Sequence, residues 1–175
     1  MSFEIETDRL VMRPWRPDDL TARMGIFSDA EVMKFIGRTS YTSAEVMRER
    51  ISRQMRFQFH FGFSMWAVLD KTTREIIGNA GLQPLEGSKE IEVGYHFRRD
   101  VWGRGYATET ARASLAFGLR PESEGGAGLR KIVGITHPDN VASQRVLVKA
   151  GLTLVGPSRH YDTDVLLFEI LAAPV

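Results

Sequence analysis

Apolar positions along the chain fall into short runs of period two and longer stretches of four-residue spacing, and the two kinds mix without any repeat. Phe3, Ile5, Leu10 and Met12 alternate around a polar break and predict an opening strand that Arg13-Pro14 ends. Asp18 or Asp19 is placed to cap a helix carrying Leu20, Met24 and Phe27, and Ser43 to cap a longer one carrying Val46, Met47 and Ile51. Trp66 to Leu69 and Ile76 to Leu82 are apolar runs flanking the turn-forming Asp70-Lys71-Thr72-Thr73, which predicts a hairpin.

In the second half, Ile91, Val93, Tyr95 and Phe97 alternate strictly with Glu92, Gly94 and His96, so one strand presents two distinct faces. Ala107, Ala111 and Leu115 mark one face of a helix that Gly105 opens and Gly118 or Pro121 closes, followed by a surface loop from Pro121 to Gly128. Ile132 to Ile135 reads as a short strand, Asn140 to Ala150 as an amphipathic helix ended by Gly151, and Val165 to Leu171 as a final strand. The mixture predicts an α/β or α+β class, and 175 residues predict one domain spanning 1–175.

Composition narrows the function classes. Apolar residues make up 43% and charged residues 26%, the balance of a globular chain. A formal charge of +1 gives no global attraction to polyanions, so nucleic acid is not an expected partner. No signal-like segment opens the chain and no stretch approaches the ~20 apolar residues of a membrane span, which predicts a cytoplasmic protein without a membrane partner. The absence of cysteine removes disulfides, thiolate metal sites and a cysteine nucleophile, and the scattered His60, His96, His137 and His160 predict no metal site.

The chemistry-bearing segment follows the strand from Ile91. Arg98-Arg99-Asp100-Val101-Trp102-Gly103-Arg104-Gly105-Tyr106-Ala107-Thr108-Glu109 is a glycine-bearing turn running into a helix, where free first-turn amides and the helix dipole favour an anion such as a pyrophosphate. Arg98, Arg99 and Arg104 are available to pair with it. By itself the spacing is better read as a chain-reversing turn, and Thr108 stands where a dinucleotide fingerprint would have its third glycine. A second cluster, Thr136-His137-Pro138-Asp139-Asn140-Val141-Ala142-Ser143, lies at another strand-to-helix junction.

Taken with Lys149-Ala150-Gly151 and the early Thr7-Asp8-Arg9-Leu10 and Arg13-Pro14, these clusters resemble the GCN5-related N-acetyltransferases (GNAT), in the branch similar to ribosomal-protein alanine and serine N-acetyltransferases. The resemblance covers essentially the whole chain. It implies a central mixed, largely antiparallel sheet flanked by helices, with two central strands splaying apart around acetyl-coenzyme A as co-substrate. It implies amide donors between Trp102 and Thr108, with Gly103, Arg104, Gly105, Tyr106 and Ala107 in the phosphate turn, and backbone contacts from Tyr95 and Phe97 to the pantetheine arm and thioester oxygen. Asn140 would contact the cofactor arm, and Ser143 would protonate the departing thiolate. Asp100 departs from the family pattern, which has Gln or Arg at that place, and a carboxylate beside a pyrophosphate is unfavourable. The resemblance also allows a homodimer, which no residue indicates.

Acetyl transfer to an amine needs a base, an oxyanion site and an acid. Glu92, on the strand face opposite the apolar set, is the candidate base, with His96 in reserve; a partly exposed sheet glutamate is the competing account. For Asn140 the alternative is a helix N-cap, and for Ser143 a first-turn serine bonded to local backbone. Tyr161 is the alternative acid, and His137 shapes its turn. Arg145 and Lys149 either reach the adenosine phosphate or are solvated. Phe57, Phe59, Phe61, Phe63 and Trp66 either pack the core or wall an acceptor cleft near Arg48, Arg50, Arg53 and Arg56. The acceptor is a primary amine: a protein N-terminus, whose α-amino group titrates near ~8 and so needs only a modest base, or a small amine such as an antibiotic or polyamine. A binding module without turnover is the remaining alternative. Transfer without an acyl-cysteine intermediate would be direct, in a ternary complex.

Overall fold

The computed structural model describes residues 3–36 and 43–173. Eight strands form one sheet in the order β1-β2-β3-β4-β5-β6-β8-β7. They are β1 (Ile5–Glu6), β2 (Leu10–Arg13), β3 (Met65–Asp70), β4 (Ile76–Pro84), β5 (Ile91–Phe97), β6 (Lys131–Thr136), β7 (Thr153–His160) and β8 (Thr163–Leu171). Every neighbouring pair is antiparallel except β5 and β6, which are parallel. The mixed, largely antiparallel sheet matches the expectation from the sequence.

Five helices cover the sheet: α1 (Leu20–Phe27), α2 (Ala30–Met33), α3 (Ala44–Phe61), α4 (Tyr106–Leu119) and α5 (Val141–Ala150). One buried cluster joins α1, α2 and α3 to the sheet through Trp15, Ile26, Phe27, Met47, Ile51 and Ala67. A larger cluster, including Leu82, Val93, Phe97, Ala111, Leu115, Ile132 and Leu147, joins α4 and α5 to it. Ser43 caps α3 by accepting the Val46 N–H, and Gly62 ends that helix with φ 74°. Among the described residues no helix is long and apolar enough to cross a membrane.

Four local readings differ from the structure, each for a physical reason. The opening strand is two short strands, because the Thr7 hydroxyl accepts the Leu10 N–H at 3.1 Å and folds the chain back between them. Asp19 sits at the start of α1 without capping it; its carboxylate receives two bonds from Arg13, at 2.7 and 3.0 Å, and the Arg16 N–H at 2.8 Å. Gly118 lies inside α4, where a Cβ would come 2.6 Å from Ile132 Cδ1 and 2.8 Å from Leu82 Cδ1, so it serves close helix-to-sheet packing rather than termination. β7 escaped the pattern because it is an edge strand, mostly exposed and broken by Gly156-Pro157.

The alternating Phe57, Phe59 and Phe61 belong to α3, so they spread around a helix instead of lining one strand face. Phe59 is 85% exposed and Phe61 49%, whereas Phe63 and Trp66, beyond the helix, are in the core.

Candidate active site

β5 is the axis of the site. It pairs with β4 along its full length, yet its one ladder pair with β6 is Glu92 with Val133. Beyond that point the two parallel strands diverge. Arg98 N–H donates to Ile77 O at 3.0 Å, so by ladder alternation the backbone groups of Tyr95 and Phe97 turn away from β4 and toward the gap. The Phe97 carbonyl is taken by Trp102 Nε1 at 2.8 Å, which anchors the following turn against the strand end.

That turn holds Gly103 at φ 76° and Gly105 at φ 80°, both in the left-handed region that favours glycine. Gly105 is the N-cap of α4 and offers no side chain to the first-turn amides, and a Cβ on Gly103 would meet nothing within 4 Å. The result is an open concavity of backbone N–H groups at a positive helix end, which suits a pyrophosphate. It is buttressed from outside. Glu109 accepts Thr7 Oγ1 at 2.6 Å, the Arg9 N–H at 3.1 Å and Arg9 Nε at 2.8 Å, while Arg9 Nη1 donates to the Arg104 carbonyl at 2.9 Å. The early Thr7 and Arg9 thus act on the turn from a distance of a hundred residues in sequence.

The basic side chains around the turn divide differently from expectation. Arg98 grips Asp100 through two bonds of 2.8 Å and reaches Glu75 at 3.3 Å, and Arg99 pairs with Asp29 at 3.3 Å. Neither is left for a ligand. Arg98 holds the Asp100 carboxyl below its usual range, so Asp100 enters the site already neutralised by a partner. Arg104 is exposed, and among the described residues no carboxylate pairs with it.

The other face of β5 is built from linked polar side chains, with Glu92 and Gln54 buried. Glu92 is only 6% exposed, so the account of it as a partly exposed sheet residue fails. Its Oε1 accepts Gln83 Nε2 at 2.8 Å and the Tyr161 hydroxyl at 3.0 Å. Gln83 is its cross-strand partner in the ladder, and Gln83 is oriented in turn by Gln54 Nε2 at 3.3 Å, whose own Oε1 accepts the Met65 N–H at 3.0 Å. Every donor in this chain points one way, and both final donors converge on one carboxylate oxygen. Burial pushes the Glu92 carboxyl up, against the two hydrogen bonds that pull it down. Tyr161 reaches Glu92 from the turn between β7 and β8, where Tyr161 and Asp162 hold φ of 52° and 57°, the mirror-image hairpin turn in residues that rarely adopt it.

His96 lies on the same β5 face. Its Nδ1 faces Asn79 Nδ2 at 3.0 Å, and Asn79 Oδ1 is engaged by Trp15 Nε1 at 2.9 Å and Arg23 Nη1 at 3.2 Å. The amide must therefore donate to Nδ1, which leaves the proton on Nε2. Burial, then the charge of Arg23, lowers the His96 pKa to about 4, which leaves it too weak a base for the reserve role.

On the opposite face, Asn140 Oδ1 accepts the Ser143 N–H at 3.1 Å and so acts as the N-cap of α5. Ser143 Oγ lies 2.9 Å from the Tyr95 hydroxyl, which also reaches the Ser143 carbonyl at 3.0 Å. Burial raises the Tyr95 phenol to about 12. His137 Nδ1 accepts the Asp139 N–H at 3.1 Å and shapes its turn. Arg112 donates to the Lys149 carbonyl at 2.8 and 3.1 Å and closes α5, whereas the side chains of Arg145 and Lys149 are exposed.

The sequence profile of the acetyltransferase (GNAT) domain matches residues 9–153. The chain belongs to the GNAT acetyltransferase family. It is 31% identical over 169 residues to YkkB of Bacillus subtilis, covering 95% of this chain and 94% of that one. The GNAT-family acetyltransferase of Bacillus anthracis superposes with a TM-score of 0.80 at 25% identity, over 97% of this chain and 98% of that one. RimL, a ribosomal alpha-N-protein acetyltransferase solved in complex with coenzyme A, has the same fold at TM-score 0.79 and 19% identity, over 97% and 98% of the two chains. GNAT membership makes this chain an N-acetyltransferase, and the diverging β5 and β6 are the splayed strands of the family's sheet.

The GNAT frame gathers the candidate residues into two groups separated by β5. Trp102 to Thr108, Asn140, Ser143 and Tyr95 lie toward α4 and α5; Glu92 and Tyr161 lie with α1 and α3. Sequence reasoning missed the Tyr95 side chain, Gln83, Gln54, Asn79 and Arg23. A signal existed for one of them: the hairpin register that opposes Gly81 to Gly94 also opposes Gln83 to Glu92.

Proposed function

We propose that the protein transfers acetyl from acetyl-coenzyme A to a protein or peptide N-terminal amine, directly in a ternary complex, with Glu92 as general base and Ser143 as the acid for the thiolate. The observation that carries this reading is Glu92 itself: a buried carboxylate at the mouth of the β5–β6 gap whose Oε1 receives both Gln83 and Tyr161. An α-amino group titrates near ~8, so a carboxylate raised by burial suffices to take its proton as the nitrogen attacks the acetyl carbon.

The co-substrate fits the residues present. Its pyrophosphate suits the amide concavity from Trp102 to Thr108, with Arg104 as the charged partner, and its arm suits the open β5 edge at Tyr95 and Phe97. An amide on that edge lies where negative charge develops on the thioester oxygen. As the carbon–sulfur bond breaks, Ser143 gives its proton to sulfur and regains one from solvent, while Tyr95, 2.9 Å away, holds the hydroxyl in place. Asn140 serves as N-cap of α5 and would contact the co-substrate's arm.

The reading is tested in two steps. Calorimetric titration with acetyl-coenzyme A should give micromolar binding that collapses for analogues lacking the pyrophosphate. Amine-dependent thiol release with short peptides should then exceed release with polyamines or antibiotic amines. A protein that binds the co-substrate but transfers acetyl to none of the amines would be a binding module. An acetylated enzyme trapped without acceptor would overturn direct transfer.

A further inference from the structure

Arg23, on α1, is a buried cation that the acetyl-transfer chemistry does not use. It is 4% exposed, and among the described residues no carboxylate pairs with it. Of its guanidinium donors, Nη1 bonds Asn79 at 3.2 Å, while Nε is buried with no hydrogen-bond partner. The group is held between Trp15 and Phe27, 4.6 and 5.0 Å from their ring centroids. A second guanidinium, that of Arg50, lies close enough to disfavour its charge, and with burial this lowers Arg23 to about 9, still protonated at neutral pH.

A buried ion without a counter-ion costs several kcal/mol, and an apolar side chain of the same length would satisfy α1 better. Two aromatic faces return part of that cost, but they supply no counter-charge. The arrangement is therefore costly to the folded protein by itself and becomes favourable when an anion joins it, since a guanidinium presents a planar fork matched to a carboxylate. Arg23 also stands on the acceptor side: through Asn79 it touches His96, which shares a β5 face with Glu92.

Resting on the acetyltransferase reading above, we infer that Arg23, backed by Arg50 and flanked by Trp15 and Phe27, is an anion subsite, and that the acceptor carries a carboxylate in addition to its amine. Glu92 and His96 are four strand residues apart, about 13 Å. A peptide with its α-amine at Glu92 would reach Arg23 with an acidic side chain near its third residue.

The test uses two amidated tripeptides, Ser-Ala-Glu and Ser-Ala-Gln, which differ only in the carboxylate. Wild-type protein loaded with coenzyme A should bind the glutamate peptide at least about tenfold more tightly by calorimetry, and kcat/KM with acetyl-coenzyme A should show the same preference. In Arg23→Met both ratios should fall to near unity. The variant should also melt at a higher temperature than wild type, the reverse of what a purely structural arginine would give. If Arg23→Met does not fold, Arg23→Lys, which keeps the charge and loses the fork, should reduce the preference. Equal binding and equal turnover of the two peptides by wild type overturn the subsite while leaving acetyl transfer intact. A preference that survives in Arg23→Met, or a variant that melts lower, also overturns it. Selective binding of the glutamate peptide with no thiol release from either peptide keeps the subsite and removes the acetyltransferase reading.

Discussion

The two sides of β5 are built from different materials. Toward α4 and α5 the site is mainly backbone: amides at a helix end, glycines at φ 76° and 80°, and an open strand edge, with exposed charges paired off around it. Toward α1 and α3 it is side chain, a set of buried polar groups each oriented by the next. In the proposed reading, backbone donors would meet the part of acetyl-coenzyme A that never changes, whereas a side-chain surface can be altered residue by residue to suit an acceptor. The first tolerates substitution of most side chains; the second depends on each.

The sharpest way to break this contrast is Glu92→Gln. Loss of a general base should lower kcat by about 10² to 10⁴, with acetyl-coenzyme A affinity unchanged by calorimetry; a loss under threefold would remove Glu92 from the chemistry. The same substitution should stabilise the protein at neutral pH. The folded Glu92 pKa lies above its ordinary value, so the folded state holds this proton more tightly than the unfolded chain, and stability falls as pH rises through the interval between the two values. Thermal melts of Glu92→Gln should lack that decline.

Ser143→Ala comes next. It should reduce kcat by about 10-fold to 10²-fold with little change in co-substrate binding, and equal turnover of variant and wild type would end the acid role. Gln83→Met probes the relay. Removing a donor that lowers Glu92 should move the ascending limb of kcat/KM to higher pH while leaving the plateau within a few-fold, whereas a packing defect would lower the plateau without moving the limb. Arg104→Ala should have the smallest effect, a rise of about fivefold or less in the KM for acetyl-coenzyme A that shrinks with added salt, since the side chain is exposed and the amides beside it remain. A loss above a hundredfold would mean that charge, and not backbone, holds the phosphates.

What the sequence revealed follows the same division. Backbone-built features are contiguous, so Trp102 to Thr108 and Asn140 to Ser143 announce themselves within a dozen residues. The β3–β4 hairpin and β5 also appear in their places, because two apolar runs around a turn and one alternating run are written directly in the chain. Side-chain relays are not contiguous. Gln54, Gln83, Glu92 and Tyr161 come from four elements, and nothing local to Gln54 shows that its carbonyl will meet Met65 N–H. Arg23 was hidden by its place on a short, weakly patterned helix, where arginine normally reads as solvated. β7 was hidden by exposure on both faces. Asp100 misled in the other direction, since a local reading sees an acid beside a phosphate site and not the Arg98 fork that occupies it.

The single ladder pair of β5 with β6, Glu92 with Val133, also bears on how long the molecule survives. One sheet is in effect two panels, β1 to β5 and β6 to β8, sharing a short seam. A molecule lodged in that seam acts as a rung between the panels and stabilises the native state by RT ln(1 + [L]/Kd), about 2.7 kcal/mol at a hundredfold excess over Kd. Amide exchange and proteolytic nicking along the seam should accordingly slow as acetyl-coenzyme A rises, so that turnover of the protein itself would track the acetyl supply of its surroundings.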